Sequence, residues 1–331
     1  MYRYVVCVFR DDEAIFFVIR RIRPGQPGLA VAAALCYNRR VTSFAFICAG
    51  ESMEIITEYV AGTPIRLKRP FDFNFLSRYG EVFKVIDNFY GSGNICFGTV
   101  QGGKKYFVKF AGAPKEKFES GAEQAIGWLK DARRAYEDLS HESLIQLVNS
   151  EEAGEGYVNV FEWIDADCIG YPNPPARRKF LALPAAKKKR AFDTILNFHA
   201  HVAAKRYVAV DFYADQILYD FVNDKTIICD IDFYQKSPYY GDKGTWGSDN
   251  FVSPEERVPG LKMDEITMVY TMGATAFSIF ADYDRSPGGW GLGEAPYRTA
   301  IKAVSDDRGA RQQSIDQFIR EWDASLGRGD I

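Results

Sequence analysis

The sequence predicts an α+β chain in two lobes, a strand-rich half over residues 80–165 followed by a helix-rich half over 166–325. Three observations predict it. Short runs rich in β-branched and aromatic residues crowd the first half and are punctuated by glycine turns. Helical spacing of apolar residues dominates the second half. The chain has 331 residues, 47% hydrophobic and 26% charged, which is globular composition with length for two core-bearing units.

Residues 1–52 stand apart from the rest of the chain. They hold seven Arg and no Lys, against 16 Arg and 18 Lys in the remainder. They net +3 (7 − 4), and the remainder nets −6 (34 − 40). Half of the six Cys, at positions 7, 36 and 48, fall in this segment. Strands at 4–9 and 15–19 would make it a small extension. A non-native segment is the other reading, because Ala49-Gly50-Glu51-Ser52 precedes Met53 and Gly-Glu codons can spell a ribosome-binding sequence just upstream of a start codon. Met53 is the expected true start. Residues 53–165 then form the first lobe with its lead-in, and 166–331 the second.

Within the first lobe, strands are expected at 82–85, 95–100 and 104–110, the last two joined in a hairpin by Gly102-Gly103. An amphipathic helix comes next over 120–138, where Ala122, Ile126, Leu129, Ala132, Tyr136 and Leu139 fall near helical spacing. Strands are expected again at 144–148 and 157–163. Tyr171-Pro172-Asn173-Pro174-Pro175 reads as a connector. A helix over 187–204 leads to a loop over 207–213, and short strands at 217–219 and 226–229 precede a stretch of loops and helices.

Composition excludes several functions. A net charge of −3 with no basic-aromatic stripe gives no nucleic-acid signature. No uninterrupted apolar run approaches the roughly 18 residues of a membrane span. The Cys residues form no CxxC pair and there are only three His, which leaves little for a metal cage and fits a reducing, cytoplasmic location.

The chemistry-bearing residues are acidic and cluster in the second lobe. Asp211 lies in a loop between a helix and a strand. Asp230-Ile231-Asp232 comes directly after the apolar run Ile227-Ile228-Cys229, and Ser253-Pro254-Glu255 lies behind Gly247-Ser248. Upstream, Lys109 sits between Val108 and Phe110 in an expected strand. A half-buried ammonium there calls for a phosphate or carboxylate partner.

In this order the residues resemble the protein kinase superfamily over about 82–323, most nearly a divergent bacterial branch of the Firmicutes type. The resemblance implies a bilobal fold with a β-rich N-lobe and a helical C-lobe. YGSGN stands where that family has its glycine-rich loop, placing Gly91, Gly93 and Asn94 on a nucleotide. YFVKF resembles the strand of the ATP-anchoring lysine, here Lys109. VFEWI resembles the hinge, with Phe161 as gatekeeper and Glu162, Trp163 and Ile164 offering backbone groups to adenine. VDFYADQIL aligns with the catalytic loop, making Asp211 the carboxylate at the acceptor hydroxyl and Gln216 a metal ligand. CDID aligns with the metal-binding D-F-G segment through Asp230. GSDNFVSPEE, Asp264 and Arg311 match the peptide-binding floor, with Arg311 paired to Glu255.

Several positions depart from the family. Cys96 replaces a glycine of the loop, Tyr213 a lysine and Val210 an arginine, so no phosphorylation switch through Ser248 is expected. Gln216 replaces an asparagine and carries its carbonyl one methylene further out, which Mg²⁺ tolerates poorly. Asp232 occupies the glycine position of D-F-G, as a second metal ligand or a surface turn acid. The helix offers Glu123 or Glu137 to Lys109, and Glu123 is the expected partner. Lys187 to Arg190 reads as a solvated face or a docking patch for an acidic partner, and His199 and His201 as packing residues.

The resemblance implies an ATP-dependent Ser/Thr protein kinase using Mg²⁺ or Mn²⁺ on an unidentified protein substrate, acting as a monomer away from membranes and nucleic acid. A pseudokinase module and a small-molecule phosphotransferase of the aminoglycoside or choline type are the alternatives. The floor motifs favour the first; Gln216, Tyr213 and Cys96 favour a pseudokinase.

Overall fold

The computed structural model describes residues 55–86, 91–241 and 248–326. The expectations for residues 1–52, for Met53 and for Gly247 lie outside the described residues. Ile55–Ile331 is one compact unit by itself.

The first lobe is a five-stranded antiparallel sheet in the order β3-β4-β5-β7-β6, with β3 at Glu81–Ile86, β4 at Asn94–Gln101, β5 at Lys104–Ala111, β6 at Leu147–Ala153 and β7 at Gly156–Glu162. It is preceded by a hairpin the pattern did not announce, β1 (Ile56–Val60) and β2 (Thr63–Leu67). Gly102 and Gly103 both take positive φ, which is why that pair can turn β4 into β5 with the strand twist preserved. On β5 the pleat separates two environments. Val108 and Phe110 point into a core with Ile65, Leu67, Phe97 and Val158, while Lys109 points to the opposite face.

Against that opposite face lies α1 (Ala122–Asp138). Asn159 of β7 pins it by donating to the Leu129 carbonyl at 3.0 Å and accepting from Ser150. The strand expected at 144–148 begins only at Leu147. Leu144 and Ile145 instead run beside Ile228, whose carbonyl takes the Ile145 amide at 2.9 Å. Two apolar residues there pack across to the second lobe, a choice that local alternation does not contain.

The second lobe begins with β8 (Asp167–Cys168) and α2 (Pro174–Leu181). The proline pair read as a connector starts this helix, because the first turn has no use for the amide that proline lacks, and Asn173 caps it. Next come α3 (Ala185–Ala204), β9 (Tyr207–Val208), β10 (Ile217–Asp220), β11 (Lys225–Ile228), β12 (Gln235–Lys236), β13 (Tyr239–Tyr240) and β14 (Lys262–Met263). α4 (Glu265–Ala281) is buried from Thr267 to Phe280 and forms the axis of this lobe, flanked by α5 (Glu294–Ala303) and α6 (Ile315–Ser325). Its core is continuous with Tyr136 and Leu139 of α1 and with Phe161 of β7, so one hydrophobic cluster bridges the lobes.

The run at Lys187 to Arg190 has partners of its own. Lys187 bonds Asp224 at 2.7 Å, Lys189 bonds Asp193 at 2.7 Å, and Lys188 lies over the Phe280 ring. His199 is packed, as its sequence context implied, between the Ile195 carbonyl and the Tyr234 hydroxyl.

Candidate active site

The site forms where β5, the end of α1 and the segments after β9 and β11 converge. Lys109 is separated from Asp230 by 121 residues, yet its Nζ lies 2.7 Å from Asp230 Oδ1 and 2.6 Å from Asp232 Oδ2. Its cross-strand neighbours are Cys96 and Asn159, so it occupies the middle of the sheet and is buried. Burial alone would push the ammonium down, but Asp230 and Asp232 outweigh it and hold Lys109 above the usual lysine range. Burial, and then the neighbouring charge of Asp230, raise Asp232 against the pull of Lys109.

Asp232 Oδ2 holds Lys109 and Oδ1 accepts from the Tyr136 hydroxyl at 3.0 Å. The Tyr136 oxygen in turn accepts the Ile231 amide at 3.1 Å. Both carboxylate oxygens hold protein partners in a buried position, which corrects Asp232 as a surface turn acid. Glu123 is likewise corrected as the lysine's partner: it stands exposed in the first turn of α1. Glu137 bonds Arg133 at 2.7 Å. One turn before Tyr136, on the same helix face, stands Ala132, which has no charge to offer.

Asp211 and Asp230 both adopt positive φ, 66° and 54°, a conformation that aspartate reaches more readily than most residues and that recurs at functional sites. Burial, then the charges of Asp230 and Glu256, push Asp211 up to about 8. Glu256 was not singled out by the sequence. Its carboxylate accepts from the Ser253 amide and hydroxyl at 2.8 and 2.6 Å, and burial raises it to about 7.

Gln216 is buried behind Asp211 and donates from Nε2 to the Asp211 carbonyl. Its Oε1 and the Oδ1 of Asp211 are buried with no hydrogen-bond partner. Buried acceptors left unpaired cost about 1–3 kcal/mol each, and such orphans mark a place for a cation or its water. Asp230, whose charge acts on Asp211 and whose side chain is 51% exposed, offers carboxylate oxygen of the kind Mg²⁺ and Mn²⁺ take. Among the described residues no three His, Cys, Asp or Glu side chains are grouped to hold an ion by themselves. An ion here would therefore need oxygens from a ligand such as a phosphate.

At the opposite wall, Phe161 is buried between the Phe107 and Tyr136 rings. The Glu162 amide is bonded to the Gln146 carbonyl and the Trp163 amide to the Lys105 carbonyl. Trp163 packs edge-on to Phe83. Of the expected phosphate loop, Gly91 has room for a side chain, with the nearest atom to an added Cβ at 3.7 Å. Gly93 has none: a Cβ would lie 2.4 Å from Ala125 Cβ and 2.9 Å from the Phe118 ring. Packing against α1 and Phe118 therefore already requires glycine at Gly93. The Asn94 carbonyl accepts from Lys115 at 2.7 Å.

The floor of the second lobe is an ion cluster. Arg311 grips Glu255 with two bonds of 2.7 and 3.0 Å. Asp264 caps α4 in a reciprocal box with Thr267 and bonds Arg308 at 2.7 Å. Arg308, three residues before Arg311, also bonds Glu255 and was not anticipated. Tyr213 packs against Phe251 where the resemblance has a lysine.

This is the bilobal architecture of protein kinases, a kinase-like fold. Among solved structures, the chain is similar to the Cydia pomonella granulovirus kinase PK-1 at 16% identity and a TM-score of 0.54, over 73% of this chain and 92% of that one. No protein-family model and no curated protein matches the chain. No helix among the described residues is long and apolar enough to cross a membrane.

Proposed function

We propose that the chain is an ATP-dependent, Mg²⁺- or Mn²⁺-using phosphotransferase of the Ser/Thr protein kinase kind. The observation that carries this reading is the Lys109–Asp230 contact of 2.7 Å across two lobes. Phosphoryl transfer is mostly positioning and charge neutralisation, and these groups divide that work. Lys109 supplies positive charge for phosphate oxygens. Asp230 and Gln216 would hold a divalent ion, which when bound neutralises the phosphates. Asp211 takes the proton of an acceptor hydroxyl, with a pKa close to neutrality as a general base requires. Adenine would reach the Ile164 amide, since those of Glu162 and Trp163 are already bonded within the protein. The Glu255–Arg311 floor favours a polypeptide acceptor over a small molecule.

A pseudokinase reading is favoured by Gly93, which is committed to packing, and by Tyr213, which replaces a phosphate-binding lysine. Calorimetric titration with ATP in the presence and absence of Mg²⁺ and Mn²⁺, with mass spectrometry for phosphorylation of the chain and of added protein, separates the two. Metal-dependent binding with phosphoryl transfer is expected. Binding without transfer selects the pseudokinase, and no binding with either ion defeats nucleotide use altogether.

A further inference from the structure

We propose that Asp232 is the positioning residue for Lys109, and that the polar link from α1 to this pair is the Tyr136 hydroxyl; this rests on nucleotide binding at the site. Two carboxylates share one ammonium unequally. The Asp230 side chain is 51% exposed and that of Asp232 is 5% exposed. An exposed partner can exchange its lysine contact for something that enters the cleft. A buried one with both oxygens engaged cannot, since leaving it unpaired would strand a charge away from water. Asp232 is thus the permanent holder of Lys109, and Asp230 the exchangeable one.

The carboxylates of α1 near the site are otherwise accounted for. Glu123 is exposed, Glu137 is paired with Arg133, and Asp138 serves Tyr207 and Lys236. What α1 contributes is the phenol of Tyr136, bonded to Asp232 Oδ1 and to the Ile231 amide. The Tyr136 hydroxyl, the Asp232 carboxylate and the Ile231 backbone close a buried ring, and Lys109 is held on the other carboxylate oxygen of Asp232. The holder of the lysine and the exposed Asp230 lie two residues apart on one segment, so a shift of that segment moves both. A shift of α1 breaks a hydrogen bond between a neutral hydroxyl and a carboxylate and leaves the ion pair intact. The site is therefore assembled without a helix-borne acid.

The test uses the full chain and ATP itself, by calorimetry, with thermal melting of every variant. Asp232→Asn should weaken ATP binding tenfold or more, and in turnover raise KM for ATP by more than it lowers kcat. Loss of folded protein alone would lower kcat and leave KM in place. Tyr136→Phe, which keeps the ring, should melt close to wild type and weaken ATP binding about threefold. It decides the matter if Asp232→Asn does not fold. Two results overturn the proposal: a folded Asp232→Asn or Tyr136→Phe that binds ATP like wild type, or a tenfold loss in Glu123→Gln. If wild type itself binds no ATP, nucleotide binding at the site fails, and the proposal with it.

Discussion

At Asp211, burial and two neighbouring carboxylates hold the proton to about pH 8, against 3.8 for the unperturbed side chain. Between those values the folded state binds more protons than the unfolded state, so this group lowers stability as pH rises. Asp211→Asn removes that penalty. Near pH 4 the variant should match wild type, and at pH 8 it should be more stable by about 1–3 kcal/mol in urea unfolding. Phosphoryl transfer should fall by roughly 100-fold or more, while ATP affinity stays. A variant that unfolds before wild type at pH 8 contradicts a buried, strongly raised Asp211. The ion-facing pair gives a second prediction. Asp230→Asn should abolish the metal dependence of ATP binding. Gln216→Asn, by shortening the reach of the amide oxygen, should raise Mg²⁺-supported turnover relative to Mn²⁺. Unchanged ratios in both variants would remove Asp230 and Gln216 from the ion's donor set.

Elements, not single residues, explain the floor and the glycine turn. Glu255 is buried under Arg311, Arg308 and Thr267, three donors drawn from two stretches of chain. Breaking one partner of a buried pair costs about 3–5 kcal/mol, and the remaining Arg308 should keep Arg311→Ala near the lower end. Differential scanning calorimetry reads this directly, and a shift of only a degree or two would show the cluster to be solvated. Gly93 meets α1 at Ala125 and the Phe118 ring, so Gly93→Ala forces one of them to move. Overpacking of this sort costs about 1–3 kcal/mol. The expected signature is a lower melting temperature with a matching loss of nucleotide affinity. Lost affinity at an unchanged melting temperature would instead assign Gly93 to the ligand.

For the molecule as a whole, the bridging core that runs from Tyr136 and Phe161 into α3 and α4 ties the lobes together without help from the cleft. Ile55–Ile331 is a compact unit by itself, and residues 1–52 differ from it in basic-residue usage and charge. A chain expressed from Met53 should therefore melt within a few degrees of the full-length protein and bind ATP equally. A large loss of melting temperature would show that residues 1–52 belong to the fold.

The sequence alone determined the elements whose signals are local. The Gly102-Gly103 hairpin, the apolar spacing of α1 and the order of Lys109, Asp211 and Asp230 could be read from the sequence, and the Glu255–Arg311 pair was implied by the kinase resemblance alone. Periodicity reports a residue's immediate surroundings, and motif order preserves the layout of a site. Partner choice was decided only by tertiary structure. Nothing in the run from Glu123 to Glu137 tells which face of the helix meets Lys109, because that depends on the rotation of α1 on the sheet, set in part by Asn159 and Leu129. Tyr136 read as one more apolar position, its hydroxyl invisible to any spacing argument. Asp232 read as a turn acid or an ion ligand, and only packing showed it buried and bonded to Lys109. The free energy of a buried charge depends on which groups lie within a few ångströms of it, and for Lys109 those groups are brought from more than a hundred residues away.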